Sequence, residues 1–394
     1  MKRWVCFLKY PALILLAFVL AVCPCGCVES GQPGNVDGAG TDKPEDVAGT
    51  SSPADGEGED RVTGQFTNPI SVDSKPDPFI VWHDGYYYAL ATEVTRVRLY
   101  RSKTLENVFK GEYKDLIKTG DDIGSGKTLG WNAWAPELHF IETTGRWYVY
   151  FCACTDGFEF GSMRMLCLES NSDDPFSDYT FKGAVDDSLL AIDMTVYYDK
   201  ETGNLYACYS QFSDYGQILR LGLMENPWTL GTKTRTRISI PQLEWETRGT
   251  DEANDGRVNE GPIFVENKGE LYIIYSASGC WSEYYCLGAL HFIGTDRTPQ
   301  SFQSPKNWEK LENPIFESGN EVYGVGHCSF FDSPDGSETW IAYHGMAAPD
   351  AGVEGRYAYV QKIDFDENGL PVIGKPVSRD TVLTEPSGED TTAD

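Results

Sequence analysis

The stretch that decides the fold is Lys75-Pro-Asp-Pro-Phe-Ile-Val-Trp-His-Asp-Gly-Tyr-Tyr-Tyr-Ala-Leu-Ala-Thr92. Its pattern is typical of a buried strand, a tight turn at Asp84-Gly85 and a second, aromatic strand. One carboxylate, that of Asp77, stands at the start of the first strand. Stretches of the same kind recur four more times, at residues 138–151, 196–210, 262–276 and 329–343.

These five stretches are evenly spaced along the chain. Each contains a turn glycine, namely Gly85, Gly145, Gly203, Gly269 and Gly336, and successive glycines are 60, 58, 66 and 67 residues apart. Hairpin-rich units repeated at such a period are typical of propeller blades. Since helical periodicity is nearly absent, we predict an all-β fold, a five-bladed β-propeller, over residues 62–384.

The N-terminus has the pattern of an export signal. Basic residues precede an apolar run at 12–22, which is too short to span a bilayer, and cysteines follow it. We therefore expect residues 1–27 to be a lipoprotein-type signal peptide, with Cys23, Cys25 or Cys27 as the lipidated thiol. An ordinary cleaved signal is the alternative. In either case the protein is expected to be exported. It would be a bacterial cell-surface or periplasmic lipoprotein in the first case and a secreted protein in the second.

Two further segments have the composition of unfolded chain. Residues 28–61 are acidic, rich in Gly, Pro and Ser, and contain no aromatic residue, so we predict a disordered tether. Residues 385–394 are predicted to be a polar tail.

Charge and cysteine content limit the partners. The formal net charge of −28 would repel phosphate-rich polymers, so nucleic acid binding is not expected, whereas a neutral glycan fits. Membrane contact is expected only through the lipid anchor, and the protein is expected to be a monomer. Beyond Cys27 there are seven cysteines, an odd number without the spacing of a disulfide framework, although Cys280 and Cys286 are a candidate pair.

Carboxylates stand near the start of most of the repeated hairpins. Eight to ten residues before the turn glycines, the sequence has Asp77, Glu137, Asp193, Glu260 and His327. Innermost propeller strands line the central channel, so equivalent strand starts should converge at one end of it. Because clustered carboxylates repel one another and raise each other's pKa values, a functional role explains them better than a structural one.

Paired carboxylates in an aromatic-rich concave site are what glycosidic bond cleavage needs. One must be protonated to donate to the leaving oxygen, and the other must be ionised to activate water or attack carbon. We therefore predict a glycoside hydrolase, with no cofactor required.

The ordered motifs resemble glycoside hydrolase family 43. The resemblance is carried, at one-blade spacing, by Lys75-Pro-Asp-Pro-Phe79, Trp134-Ala-Pro-Glu137, Ala191-Ile-Asp193, Asn259-Glu-Gly-Pro262 and Gly326-His327. It covers residues 65–378. The stretches Val258-Asn-Glu-Gly-Pro262, Ile274-Tyr-Ser-Ala-Ser278 and 355–369 are most similar to those of exo-acting α-L-arabinofuranosidases.

The resemblance implies roles for the carboxylates. Members of the family are inverting enzymes, so Asp77 would be the general base and Glu260 the general acid. Asp193 would raise the pKa of the acid and hold it in place. Inversion needs room for a water molecule, so the base and the acid should stand roughly 6.5–9.5 Å apart.

The resemblance also implies substrate contacts. Arg356 is similar to the family's arginine in the sugar subsite, and Trp134 to part of its wall. Glu137 is expected to be structural or to orient the substrate. His327 resembles the histidine that lies near a calcium or other ion in the channel of many members.

The implied reaction is release of terminal α-L-arabinofuranosyl residues from plant arabinan or arabinoxylan. The alternatives are a β-xylosidase or an endo-arabinanase of the same family, which differ mainly in the loops around a similar pocket. A third alternative is a non-catalytic, glycan-binding surface lipoprotein. Retention of Asp77, Asp193 and Glu260 favours an enzyme.

Overall fold

The computed structural model describes residues 64–390, and nearly all of their regular structure is β-sheet. The predicted signal peptide (1–27) and tether (28–61) lie outside the described residues. Within residues 64–390, no helix has the length and apolar character needed to cross a membrane.

The strands form five antiparallel blades and two short ribbons. Strand β1 (Gln65–Thr67) precedes blade 1, which consists of β2 (Phe79–His83), β3 (Tyr86–Leu90), β4 (Arg96–Ser102) and β5 (Glu112–Lys118). The ribbon of β6 (Asp122–Gly124) and β7 (Lys127–Thr128) follows, and blade 2 consists of β8 (Trp134–Ile141), β9 (Arg146–Cys154), β10 (Met163–Ser170) and β11 (Tyr179–Ala184). In blade 3 they are β12 (Ala191–Asp199), β13 (Asn204–Ser213), β14 (Gly216–Asn226), β15 (Thr229–Leu230) and β16 (Thr236–Ser239).

The remaining strands form blades 4 and 5 and the C-terminal strand. They are β17 (Asn259–Asn267), β18 (Glu270–Ala277), β19 (Cys286–Phe292), β20 (Trp308–Lys310), β21 (Tyr323–Asp332), β22 (Thr339–Met346), β23 (Arg356–Phe365), β24 (Pro371–Val372) and β25 (Val382–Thr384). The one α-helix in residues 64–390 is the single turn α1 (Pro299–Phe302). Four 3-10 turns complete this part of the chain, at Phe160–Ser162, Glu244–Glu246, Pro305–Asn307 and Val353–Gly355.

The first hairpin is built as its sequence predicts. His83 pairs with Tyr86, so Asp84 and Gly85 form a two-residue turn, and their φ angles of 44° and 83° are those of a type I′ turn. Aspartate and glycine tolerate this left-handed backbone, which matches the twist of the flanking strands. The predicted turn is confirmed.

The five blades are arranged in a ring. Their innermost strands are β2, β8, β12, β17 and β21, and each contacts the innermost strand of the blade on either side, with β21 next to β2. Both faces of each blade are therefore covered by neighbours, and residues such as Leu90, Val149 and Ile274 are fully buried between them. The predicted five-bladed propeller is confirmed.

The ring is closed by the segment that precedes blade 1. This segment runs along β23 of blade 5, where the N–H groups of Ile70 and Lys75 donate to the carbonyls of Ala358 (2.9 Å) and Arg356 (3.0 Å). The side chain of Asn68 both donates to the carbonyl of Val360 (2.7 Å) and accepts from its N–H (2.9 Å). Closure thus uses an extra segment on the outer part of the last blade, and β1 pairs with β25 beside it.

The described part of the predicted polar tail lies against the propeller. Ser387 donates to Asp335 (2.5 Å), and Glu389 accepts from the N–H of Leu105 (3.1 Å). Cys280 and Cys286 are both free thiols, so the candidate disulfide is wrong. Cys286 is buried next to the carbonyl of Ala277 and behaves as a small apolar residue.

Replacing Asn68 with alanine should weaken the closure of the ring. The change removes both hydrogen bonds to buried Val360 and leaves a backbone donor and acceptor without partners, so we expect a loss of about 1–3 kcal/mol in the free energy of unfolding. Thermal unfolding followed by circular dichroism measures this. Asn204→Ala is the matched control, because that side chain donates to exposed Thr202 in a hairpin turn and takes no part in ring closure. Equal effects of the two changes would contradict the closure role.

Candidate active site

One residue at the start of each innermost strand has a left-handed backbone. These residues are Asp77, Ala135, Asp193, Gly261 and His327, with φ angles of 58°, 45°, 54°, 52° and 46°. Residues other than glycine rarely adopt such angles, and they cluster where a structure holds a functional group in place. In blades 2 to 5 the pairing with the second strand is irregular at the same point, as in a β-bulge.

This geometry corrects the alignment made on the turn glycines. Ala135 and Gly261 are equivalent to Asp77, whereas Glu137 lies two residues further along its strand and Glu260 one residue earlier. The bulge reverses the direction in which neighbouring side chains point, so a displacement of one residue changes what each side chain faces.

The carboxylate of Asp77 is held by cations and a hydroxyl. Oδ1 lies 3.3 Å from Nδ1 of His327 and 3.3 Å from Nη1 of Arg356, while Oδ2 accepts a hydrogen bond from Thr92 (2.6 Å). Burial alone would raise the pKa of Asp77, but the two cations hold it well below its usual range. Asp77 is therefore ionised at any pH at which the protein would work.

His327 and His344 differ in charge although both are buried. Burial lowers the pKa of His344 to about 4, so it is neutral, and its Nδ1 accepts the N–H of Asp77 at 3.3 Å. For His327, burial also favours the neutral form, but the surrounding carboxylates, Asp77 foremost, raise its pKa. His327 therefore supplies positive charge among the acids.

Glu260 is placed by two neutral donors. Tyr285 donates to its Oε1 (2.9 Å) and Gln217 donates to its Oε2 (2.7 Å). Burial raises the pKa of Glu260, and these hydrogen bonds and His327 oppose that shift without cancelling it. Glu260 therefore keeps its proton to higher pH than an exposed glutamate does.

Asp193 lies beside Glu260 and shares its environment. Its Oδ2 accepts the N–H of Gly261 (3.2 Å), the residue that follows Glu260. Burial raises the pKa of Asp193 to about 8, with His327 opposing the shift and Glu260 adding to it. Burial thus raises the pKa of both neighbouring carboxyls, while that of Asp77 is lowered.

An aromatic contact links the two ends of the site. The ring of His344, which holds Asp77, stacks on the ring of Tyr285, which holds Glu260; their centroids are 5.2 Å apart and their planes differ by 5°. This stack fixes the position of the ionised carboxylate relative to the protonatable one.

The other predicted site residues fall into two groups. Arg356 reaches Asp77 and is fixed by a hydrogen bond from its Nε to the carbonyl of Val353 (3.0 Å). Trp134 is half-buried immediately before Ala135. Glu137, by contrast, is buried with its Oε2 at 2.7 Å from Nε2 of His139, and makes no bond to Asp77, Asp193 or Glu260.

The residues do not fit a directly coordinated metal ion. Within residues 64–390, no group of three or more His, Cys, Asp or Glu side chains is arranged to hold one. Nδ1 of His327 faces Asp77, and its raised pKa favours the protonated ring, which is not a ligand. The calcium role of His327 stays a prediction, and no chemical step is assigned to an ion.

Four residues of this site are absent from the sequence prediction, namely Thr92, Gln217, Tyr285 and His344. For two of them a signal exists, because Thr92 and His344 occupy the same position at the end of the second strand of blades 1 and 5. The equivalent positions in blades 2, 3 and 4 are Cys152, Ser210 and Ser276. Every blade except blade 2 therefore has a hydroxyl or an imidazole at this position. Gln217 and Tyr285 also occupy equivalent positions, near the start of the third strand of blades 3 and 4, and Arg356 has this position in blade 5. The loops before these strands differ in length, which hides the equivalence in the sequence.

Fold and site together define a β-propeller with a carboxyl-based active site at one end of its channel. A sequence model of the family described as Glycosyl hydrolases family 43 matches residues 66–371, and the chain belongs to this family.

Characterised relatives are named as arabinofuranosidases. The chain is 34% identical over 327 residues to an extracellular exo-α-(1→5)-L-arabinofuranosidase of Streptomyces avermitilis, covering 79% of this chain but only 64% of that protein. An enzyme of the same name from Streptomyces chartreusis is 34% identical over 71% of this chain and 82% of its own length. The crystal structure of an α-L-arabinofuranosidase from Lactobacillus brevis superposes with a TM-score of 0.69 at 30% identity, covering 80% of this chain and 98% of that one.

Replacing Tyr285 with phenylalanine should move the pH dependence of the site. The hydroxyl favours the ionised form of Glu260, so its removal should raise the pKa of Glu260 and shift the basic limb of the kcat/KM profile to higher pH. We also expect a roughly tenfold lower kcat, about the value of one hydrogen bond.

The neighbouring Tyr284 offers a matched control. It is 47% exposed, and Tyr284→Phe should leave the profile unchanged. A basic limb of Tyr285→Phe that stays in place or moves to lower pH would contradict this electrostatic role.

Proposed function

We propose that the protein is an exported, inverting α-L-arabinofuranosidase that releases terminal arabinofuranosyl residues from arabinan, arabinoxylan or their oligosaccharides. The observation that carries the proposal is one buried cluster in which His327 and Arg356 lie against Asp77 and lower its pKa, while burial raises the pKa values of Glu260 and Asp193. An inverting glycosidase needs this difference between its two carboxyls.

Asp77 is the proposed general base. Its negative charge accepts a proton from the water that attacks the anomeric carbon, and Thr92 and His344 hold the side chain and main chain in place. In the free protein the cation of Arg356 lowers the basicity of Asp77. If a sugar hydroxyl draws Arg356 toward itself, the pKa of Asp77 rises and the base becomes stronger when substrate is bound.

Glu260 is the proposed general acid. Burial keeps its proton available, and Tyr285 and Gln217 fix both of its oxygens. Asp193 accepts the N–H of Gly261, next to Glu260, and so helps to hold the acid in place, while the charge of Glu260 contributes to the raised pKa of Asp193. The proton passes from Glu260 to the glycosidic oxygen as the bond breaks.

The names of the relatives support the proposed arabinofuranosyl substrate and the proposed export of the protein. The Streptomyces proteins are named as extracellular and exo-acting on α-(1→5)-L-arabinofuranosyl groups, and both are about one-third identical to this chain. Export and exo action are proposed here on that similarity. Lipid attachment at Cys23, Cys25 or Cys27 stays a prediction, since these residues lie outside the described range 64–390.

Glu260→Gln tests the acid through the leaving group. A nitrophenolate can leave without a proton, whereas a sugar alkoxide needs one. The variant should therefore lose about 10²–10⁴-fold in kcat on linear arabino-oligosaccharides and much less on nitrophenyl α-L-arabinofuranoside. Asp77→Asn should lose a similar factor on both substrates, because water must be activated in either case.

Glu225→Gln is the control for these variants, since that glutamate is exposed on β14. Equal losses on both substrates for Glu260→Gln would overturn its role as acid. Cleavage of xylosides without cleavage of arabinosides would replace the proposed substrate with that of a β-xylosidase. No turnover of any glycoside by the unmodified protein, with glycan binding retained, would favour the binding lipoprotein.

The stereochemistry of the product tests the role of Asp77. If Asp77 activates water, the first sugar released from an α-arabinofuranoside is the β anomer. Proton NMR during the first minutes of the reaction distinguishes it from the α anomer before mutarotation mixes them. An initial α product would mean that a carboxylate attacks carbon directly, and Asp77 could not be the base.

A further inference from the structure

Two aromatic side chains form an exposed stack beside the active site. The rings of Trp131 and Phe158 are 4.7 Å apart between centroids with planes 30° apart, and the residues are 36% and 56% exposed. Trp131 lies three residues before Trp134, and Phe158 lies in the loop after β9. Both loops are at the channel end where Asp77 and Asp193 lie, because innermost strands begin and second strands end there.

Backbone contacts hold this pair in position. Trp131 donates its N–H to the carbonyl of Gly157 (3.0 Å) and accepts from the N–H of Cys154 (2.9 Å), and Gly130 donates to the carbonyl of Cys154 (2.8 Å). A Cβ on Gly130 would lie 2.3 Å from the carbonyl oxygen of Gly157, so only glycine lets the two loops approach this closely. Rings fixed in this way lose little entropy when they bind a ligand.

A second group of aromatic rings lies close in sequence to the exposed pair and includes Trp134. Phe160 follows Phe158 by two residues, and its ring lies 6.3 Å from that of Trp134 and 5.3 Å from that of Phe212. Aromatic side chains are thus present both next to the site, at Trp134, and in the exposed loop of blade 2 that contains Phe158. Apolar rings left exposed on such a rim are typical of binding surfaces.

The charges around the pair select a class of ligand. Asp156 and Glu159 flank Phe158 in the same exposed loop, and the whole chain has a net charge of −28. Carboxylates accept hydrogen bonds from sugar hydroxyls but repel uronic acids. Aromatic faces pack against the apolar C–H face of a sugar ring.

We propose that Trp131 and Phe158 form a stacking platform for a further neutral sugar ring of the substrate chain, beyond the bond that is cleaved. This inference rests on the proposed function for the identity of the chain that it binds. It makes the preferred substrate an uncharged oligosaccharide or polysaccharide of several units, and a single arabinoside with a small aglycone a poorer one.

Alanine substitution of the platform should change the choice of substrate. For Trp131→Ala and Phe158→Ala we expect the ratio of kcat/KM on linear arabino-oligosaccharides of four or more units to kcat/KM on nitrophenyl α-L-arabinofuranoside to fall roughly tenfold, mainly through KM. Trp131→Phe should restore most of the ratio, because it keeps an aromatic face.

Phe140→Ala is the matched control. This residue is 42% exposed, packs on Trp147 and lies six residues beyond Trp134 on β8, ~20 Å away toward the opposite end of the channel. It should leave the ratio as it is in the unmodified protein. An unchanged ratio in the platform variants, or equal losses on both substrates, would overturn the platform.

Binding without turnover separates this inference from the proposed function. Full-length Glu260→Gln should be retarded in native gels containing arabinan, less retarded with Trp131→Ala added, and not retarded by polygalacturonate. If the unmodified protein cleaves no arabinoside but Trp131→Ala still weakens retardation by a neutral glycan, the proposed function fails and the platform stands. If arabinosides are cleaved and the retardation is the same with and without Trp131→Ala, the platform alone fails.

Discussion

The structure depends on how the left-handed residues that begin the innermost strands are held. In four blades the N–H of this residue donates to a side chain of the preceding blade: Ala135 to Thr92, Gly261 to Asp193, His327 to Ser276 and Asp77 to His344. A left-handed non-glycine residue costs of order 1–3 kcal/mol, so it persists only where the surroundings enforce it. The bond from Asp77 to His344 joins blade 1 to blade 5, so the contact that orients the proposed base also closes the ring.

The contacts of the acidic side chains explain why charged groups can be buried together. An isolated carboxylate would not stay ionised in this environment, since burial favours the neutral acid. Asp77 remains charged because His327 and Arg356 lie within 3.3 Å of one oxygen and Thr92 donates to the other. For Glu260, burial outweighs the opposing effects of His327 and of the neutral donors Tyr285 and Gln217, so its pKa rises. The pKa values of Asp77 and Glu260 are thus shifted in opposite directions by their surroundings, which is the asymmetry that the proposed reaction requires.

Much of the fold was accessible from the repeat. The type I′ turn at Asp84-Gly85, the number of blades and the approach of Asp77, Asp193, Glu260 and His327 to one channel end follow from local patterns repeated in order. The alignment was displaced at Glu137 and Glu260 because a bulge precedes the regular part of the innermost strands of blades 2 and 4, and a bulge leaves no mark in composition. Glu137 consequently pairs with His139 and makes no hydrogen bond to Asp77, Asp193 or Glu260.

The sequence by itself determined the period, the hairpins and the order of the acidic motifs, because turn chemistry and strand alternation are local properties of the chain. Tertiary structure alone decided which groups surround each acid. His344 reaches Asp77 across 267 positions of sequence, and Tyr285 and Gln217 converge on Glu260 from different blades. Those contacts, together with burial, set the protonation states, and burial and long-range distance exist only once the ring has closed.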